Sequence, residues 1–363
     1  MKKPYVPESL PLNSLDWVRF VTLIGQANAE IARYDGILQG IINPGVLLSP
    51  LTTKEAVISS KIEGTQASLE EVLQYEASPD IKTEKYDDIR EIINYREAMR
   101  FAVGWLKEKP ITLNLIKQMH GILLDSVRGK NMGRGNFRTG QNYIGKPGAT
   151  IDQASYVPPE PLSLMSHLSN FEKYVHFDEK DRLVQLAIVH AQFEIIHPFL
   201  DGNGRLGRIL MPLFLYEKKV LHSPMFYISE YLEANRDEYY ARLRAISEEK
   251  KWNDWIEFFL KAIVEQAKAN SAKAKLILAL YEKKKTRIAD VTHSQYAIKI
   301  LDTIFAHPIF NTTDFIRHSR IPKPSAMRLL KLLRNGGILS TLKKPSGRRA
   351  EVLMFNKLID IVA

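Results

Sequence analysis

HPFLDGNGRLGR (197–208) follows directly on DRLVQLAIVHAQFEII (181–196), a run apolar almost all round. Such a run predicts a central, buried helix. Pro198 helps to end it, because the residue before a proline avoids the α region. Gly202, Asn203 and Gly204 then stand where a second helix, to about Tyr216, begins. Two buried helices joined by a tight polar loop point to a mainly α protein.

Each residue type in the loop has a chemistry. Glycines let the backbone turn freely and approach a ligand closely. The first N–H groups of a helix lack intrahelical partners and, with the dipole, favour an anion. Arg205 and Arg208 share one helix face. A cation in a first turn is disfavoured by roughly 0.3–1 kcal/mol, so the pair suggests an anion between them, and phosphate suits guanidinium forks. Asp201 is a hard oxygen ligand of the kind that holds Mg²⁺ together with substrate phosphates. His197 is the nearby group that titrates close to neutrality and can accept a proton from a hydroxyl. The GK[ST] ending of a Walker A loop is missing, and no strand precedes. Taken singly, each feature also reads as ordinary structure: a turn, a structural histidine, solvated arginines. Their joint occurrence points to a phosphate cradle with a base and a metal ligand beside it.

The 363 residues suggest two or three domains, and 45% hydrophobic with 25% charged residues is the profile of a globular protein. With no cysteine, disulfides, thiolate metal sites and a cysteine nucleophile are excluded. The start, MKKPYVPESLPLN, has no apolar signal-peptide region, and no apolar run is long enough to span a membrane, so a cytoplasmic protein is expected. Of the formal charge of +10, residues 271–363 carry +12, with 18 Lys+Arg against 6 Asp+Glu. A basic tail on a near-neutral body suggests a polyanionic partner, or simply a solvated basic face.

Most of the chain reads as helix. TTKEAVISSKIEG (52–64) opens with a capping box, Thr52 to Glu55, and stops at Gly64; Ser68 and Glu71 form a second box. Helices are expected over 84–108, 112–126 and 231–246, and WNDWIEFFL (252–260) follows. Between them, 133–161 is rich in Gly and Pro, with strand-like QNYIG and SYVPP, and predicts a β-hairpin. In the tail, helices over 295–306, 311–319 and 324–337 precede two strands over 338–355 around KKPSGRR, the order of a winged helix-turn-helix.

The loop matches, at every defining position, the Fic motif HxFx(D/E)GNGRxxR, and the resemblance extends to the flap GNFRTGQNYIG…YVPPEP and the tyrosine pair Tyr239–Tyr240. It implies a Fic-type helical bundle with a β-hairpin flap and a C-terminal winged helix-turn-helix: an N-terminal helical region (1–110), a catalytic core (111–262), and a connector helix with the winged-helix domain (263–363). It implies transfer of AMP from ATP to a Ser, Thr or Tyr hydroxyl of a protein, the chain itself included. His197 would be the general base and Asp201 the Mg²⁺ ligand. Gly202, Asn203 and Gly204 would line the phosphate loop, and Arg205 and Arg208 would hold the phosphate tail. Ile144 and Gly145, in the flap, would register the target by strand-like pairing. Tyr239 and Tyr240 would close over the adenine, or else form a helix-packing pair. SSKIEG (59–64) resembles the family's inhibitory pattern (S/T)xxxE(G/N) through Ser59, Glu63 and Gly64, with Glu63 paired to Arg208. Removal of AMP at the same site is an alternative, as is a DNA-binding regulator with a Fic-like body. For the latter, Lys323, Arg328, Lys331, Arg334, Lys343, Lys344, Arg348 and Arg349 are the basic set; protein docking by the tail and a second copy of the chain are the other candidate interactions. His190 reads as a core histidine, since no third metal ligand stands at useful spacing.

Overall fold

The computed structural model describes residues 2–79, 83–125, 132–145, 148–345 and 350–363. The first long helix, α1 (Trp17–Gln39), starts at Asp16, whose side chain accepts from the Arg19 N–H. α2 (Pro44–Leu47) leads into α3 (Ser49–Ile62). The expected capping box at Thr52 and Glu55 does not form: α3 begins earlier, with Pro50 in its first turn. Thr52 lies inside the helix, its hydroxyl donating to the Leu48 carbonyl. Glu55 is turned into the core, where its carboxyl accepts from the hydroxyl and N–H of Ser229. A tertiary hydrogen bond outweighs the local capping signal. In α4 (Leu69–Ala77) the box does form, through Ser68 and Glu71. α5 (Tyr86–Trp105) and α6 (Leu113–Leu123, capped by Thr112) complete the N-terminal half.

The hairpin expected over 133–161 shrinks to a single antiparallel bridge, Ile144 with Tyr156; Lys146 and Pro147 of its tip lie outside the described residues. Pro158, Pro159 and Pro161 have no N–H to extend a ladder. The segment is instead anchored by the buried Arg138, which donates to the carbonyls of His197 at 2.9 Å and Pro159 at 2.6 Å. The Tyr156 hydroxyl adds a bond to the Ile195 carbonyl.

α7 (Leu164–Val175) precedes the central pair, α8 (Arg182–Ile196) and α9 (Asn203–Glu217). α8 is buried over almost its whole length, as its composition demands. The single helix expected over 231–246 breaks at Asn235 into α10 (Ser229–Ala234) and α11 (Arg236–Glu249); the Asn235 side chain bonds back to the Tyr231 carbonyl. α12 (Trp252–Thr292) then runs for 41 residues without interruption across the expected 262/263 boundary. It packs on α1, α8 and α11 and also on the tail.

The tail comprises α13 (Ala297–Ala306), β1 (Ile309–Asn311), α14 (Thr312–Ser319, capped by Asn311), α15 (Lys323–Asn335), β2 (Ser340–Lys343), β3 (Val352–Met354) and α16 (Asn356–Val362). The antiparallel sheet has the order β1-β3-β2; β1 and α16 are additional to the elements read from the sequence. Arg348 and Arg349 lie outside the described residues. One apolar core runs from Leu10 to Val362. The tail is docked on α2, α3 and α4, where Asn311 donates to the Ala77 carbonyl at 2.6 Å and Lys54 to the Ala363 carbonyl at 2.7 Å. Among the described residues no helix is long and apolar enough to cross a membrane.

Candidate active site

The loop between α8 and α9 owes its shape to backbone geometry. His197 ends α8 in the left-handed region, at φ 47°. Gly202 starts α9 at φ 79°, and a Cβ there would stand 3.3 Å from Leu123, so glycine is required twice over. Asn203 is buried and clamps the loop: its Oδ1 accepts from the Phe199 N–H and its Nδ2 donates to the Phe199 carbonyl, both at 2.9 Å. Phe199 stacks on His120 of α6 at 3.7 Å. His120 Nδ1 accepts from the Gly135 N–H, so its Nε2 carries the proton and donates to the Asp201 carbonyl at 3.1 Å. Burial lowers the pKa of His120 to about 4, so the ring stays neutral. This loop support was not read from the sequence, where His120 is one polar residue on an apolar helix.

His197 Nδ1 lies 3.3 Å from the Glu194 carbonyl. A proton on Nδ1 leaves Nε2 with its lone pair free. Burial lowers the imidazole pKa to about 4, against the raising effect of the Glu194 carbonyl and of Glu63, so the ring is a neutral base at pH 7. Asp201 remains accessible; its Oδ1 accepts from the Gly202 N–H at 2.6 Å, and Arg205 approaches both oxygens at 3.3 Å. Arg205, expected on the phosphate tail, is buried and ion-paired to Glu91 at 2.7 Å. It ties Asp201 to α5 rather than facing an open cradle.

Arg208 is also buried. Its Nε donates to the Ser59 hydroxyl at 2.8 Å; its Nη2 donates to the Ser59 carbonyl at 2.8 Å and to Glu63 Oε1 at 2.6 Å. Burial opposes its charge, but Glu63 holds the guanidinium firmly protonated. Glu63 caps the C-terminus of α3, and Gly64, at φ 104°, turns the chain away. A Cβ on Gly204 would lie 2.2 Å from Glu63 Oε1, so the carboxylate rests directly on the first turn of α9. The structure therefore brings Ser59, Glu63, Gly204 and Arg208 together.

The tyrosine pair divides. Tyr239 is buried, its hydroxyl 2.9 Å from His190 Nε2 and its ring beside Trp255. Tyr240 is half-exposed, 5.0 Å from the Tyr239 ring. His190 is accordingly a core histidine; among the described residues no group of three His, Asp or Glu could hold a metal ion. Ile144 is exposed at the flap, but its own N–H and carbonyl are engaged with Tyr156 and Ser155. Gly145 lies against Ala154.

Glu194, one turn before His197, was not singled out in the sequence. Its Oε1 is buried without a hydrogen-bond partner. Burial raises its pKa to about 8, with Arg208 opposing and Glu63 reinforcing the shift. The same oxygen would stand 2.5 Å from a Cβ on Gly207, with Phe193 at 3.3 Å and His190 at 3.4 Å. Gly207→Ala is therefore expected to destabilise the chain by about 1–3 kcal/mol, read as a lower midpoint of thermal unfolding; an unchanged midpoint would contradict this packing.

Residues 21–104 match the family model described as Fic/DOC family N-terminal, and residues 110–215 the one described as Fic/DOC family; together they cover just over half of the chain. The protein adenylyltransferase Fic of Drosophila grimshawi is 32% identical over 164 residues, covering 42% of this chain and 31% of that protein. The protein of the same name from Drosophila melanogaster is 30% identical over 164 residues, covering 42% and 30%. The chain thus spans about a third of the length of these relatives. A Fic family protein from Desulfovibrio desulfuricans G20 shares the fold over 98% of both chains, with a TM-score of 0.56 and 17% identity. Fic-1 of C. elegans shares it over 72% of this chain and 73% of that one, with a TM-score of 0.53 and 21% identity.

Proposed function

The chain belongs to the Fic/DOC family, and on that premise we propose that it is an autoinhibited adenylyltransferase moving AMP from ATP to a protein hydroxyl, its own included. The observation that carries this reading is Glu63 seated on Gly204 and Arg208. A carboxylate of the chain itself occupies the anion cradle at the start of α9, where a substrate phosphate would otherwise lie.

In the reaction the target oxygen attacks the α-phosphorus, the bond to the bridging oxygen of the β-phosphate breaks, and pyrophosphate leaves. The hydroxyl proton passes to His197 Nε2, a neutral acceptor pointed by its Nδ1 bond to Glu194. Arg208, freed from Glu63, pairs with the γ-phosphate. The N–H groups at the start of α9 stabilise charge on the phosphates. Asp201 fits Mg²⁺: it is an accessible hard carboxylate fixed by Arg205 beside the cradle. When bound, Mg²⁺ would neutralise phosphate charge there. The half-exposed Tyr240 would cover the base, with the buried Tyr239 packed against it.

ATP labelled at the α-phosphate tests the reading. The chain is expected to gain covalent label, and His197→Ala is expected to abolish it. Label arriving only from the γ-phosphate would overturn AMP transfer.

A second reading concerns the tail as a DNA-binding winged-helix domain. It is supported by the exposed face of α15, where Lys323, Arg328, Lys331 and Arg334 project. A gel shift of the full chain on duplex DNA is expected to weaken steeply with salt if these residues meet phosphates; no shift at low salt would favour protein docking.

A further inference from the structure

A cavity of about 360 Å³ lies between α4 and α5 on one side and α13, β1 and α14 of the tail on the other. No residue of the 197–208 loop lines it. Three guanidiniums border it, those of Arg90, Arg96 and Arg317, with the imidazoles of His307 and His318.

Two of these cations are matched. Arg96 reaches both oxygens of Glu76 at 2.8 Å, and Arg317 pairs with Asp314 at 2.7 Å. Arg90 is not: among the described residues its one hydrogen bond is a 3.5 Å contact with Asn94 Oδ1. Among the described residues of the lining the surplus is therefore positive. The two imidazoles stack face to face at 4.1 Å, tilted by 20°. Burial, then His318, Arg96 and Arg317, lowers the His307 pKa to about 4; burial and Arg317 lower that of His318, against Asp314. Both rings are thus held neutral by burial first, with Arg317 beside both and Arg96 beside His307 adding to it. An entering dianion would offset the contribution of those cations, and a ring that then took up a proton would attract the dianion in turn.

We propose that this cavity is a binding site for a small phosphate-bearing ligand, held by Arg90 and the His307–His318 pair at the junction of α4–α5 with the tail. Guanidinium forks and imidazolium suit phosphate through charge-assisted bonds. The volume falls in the range of small-ligand sites. Tyr75 and Phe310, also in the lining, give the cavity an aromatic wall that a nucleotide base would use and an inorganic anion would leave bare. The site is independent of the AMP-transfer reading, since it shares no residue with the loop.

Calorimetric titration of the full chain at about pH 6.5, with inorganic pyrophosphate and separately with AMP, tests the proposal. Two buffers of different ionisation heat report the protons taken up. Binding is expected with proton uptake, and Arg90→Ala and His318→Gln are each expected to weaken it about tenfold or more. Lys268→Ala, an exposed cation of α12 outside both the cavity and the loop, is expected to leave it unchanged. Arg90→Lys keeps the charge and is expected to give an intermediate affinity, which separates loss of the site from loss of the fold. Tighter binding of AMP than of pyrophosphate would mark the ligand as a nucleotide; equal or weaker binding would mark the phosphate group alone. The absence of binding by either probe would overturn the proposal. So would binding without proton uptake, or binding that Arg90→Ala leaves unchanged.

Discussion

Glu63→Gly is expected to raise the initial rate of AMP incorporation about 10- to 100-fold over the unaltered chain. The figure follows from the pair that is lost. Arg208 is 1% exposed and meets Glu63 at 2.6 Å, but the Glu63 side chain is 34% exposed. A charge-assisted bond of this kind is worth about 1.5–3 kcal/mol, and solvent at Glu63 keeps it within that range rather than above it. Each 1.4 kcal/mol is a factor of ten in the population of the open cradle. Glycine also removes the carboxylate from the surface of Gly204, so the first turn of α9 becomes accessible at the same moment. Incorporation from α-labelled ATP gives the rate, and competition with a fluorescent nucleotide gives ATP affinity. An unchanged rate with ATP still bound would sink the inhibitory role of Glu63 while leaving the transfer reading intact.

Glu194→Gln is expected to stabilise the chain at neutral pH by roughly 2–3 kcal/mol. A carboxyl with an ordinary value of 4.5 is pushed to about 8 here, by burial first and by Glu63, with Arg208 opposing. The sign follows from linkage. The unfolded chain releases this proton near pH 4.5, and the folded chain holds it to about 8. Stability from this group is therefore greatest below pH 4.5 and falls as pH rises towards 8. Glutamine copies the shape of the protonated acid and does not titrate, so the variant lacks this slope. Thermal or denaturant unfolding between pH 4 and pH 8 should show two curves that nearly meet at the acid end and separate towards neutrality. Parallel curves would mean that Glu194 is ionised in the fold. The Gly207→Ala variant probes the same contact from the other helix.

Much of the loop was legible before any coordinates because its signals are local. Gly202 needs a left-handed φ and Gly204 must lack a side chain, and a sequence can state both. The caps at Asp16, Ser68, Thr112 and Asn311 are local as well; of these, Ser68 is named from the sequence. What the sequence hid are partnerships over long separations. Thr52 and Glu55 spell a capping box, yet Glu55 bonds to Ser229 across 174 positions. Arg205 is paired with Glu91, on α5, across 114 positions. Glu194 has no sequence mark at all; it becomes notable only when Gly207 and Arg208 close over it. The flap pairs antiparallel where its strand-like segments suggest, at Ile144 and Tyr156, but its prolines remove the donors that a longer ladder requires.

The unbroken α12 has a mechanical meaning. At about 1.5 Å per residue it is a rod of about 60 Å. One end carries Trp255 and Phe259, which pack under His190 and beside Tyr239. The other end carries Ile277 and Ile288 into the part of the core next to the tail. A continuous helix offers no loop in which a tilt can dissipate. Any load placed on the tail therefore bears on a helix whose other end lies beside the tyrosine pair.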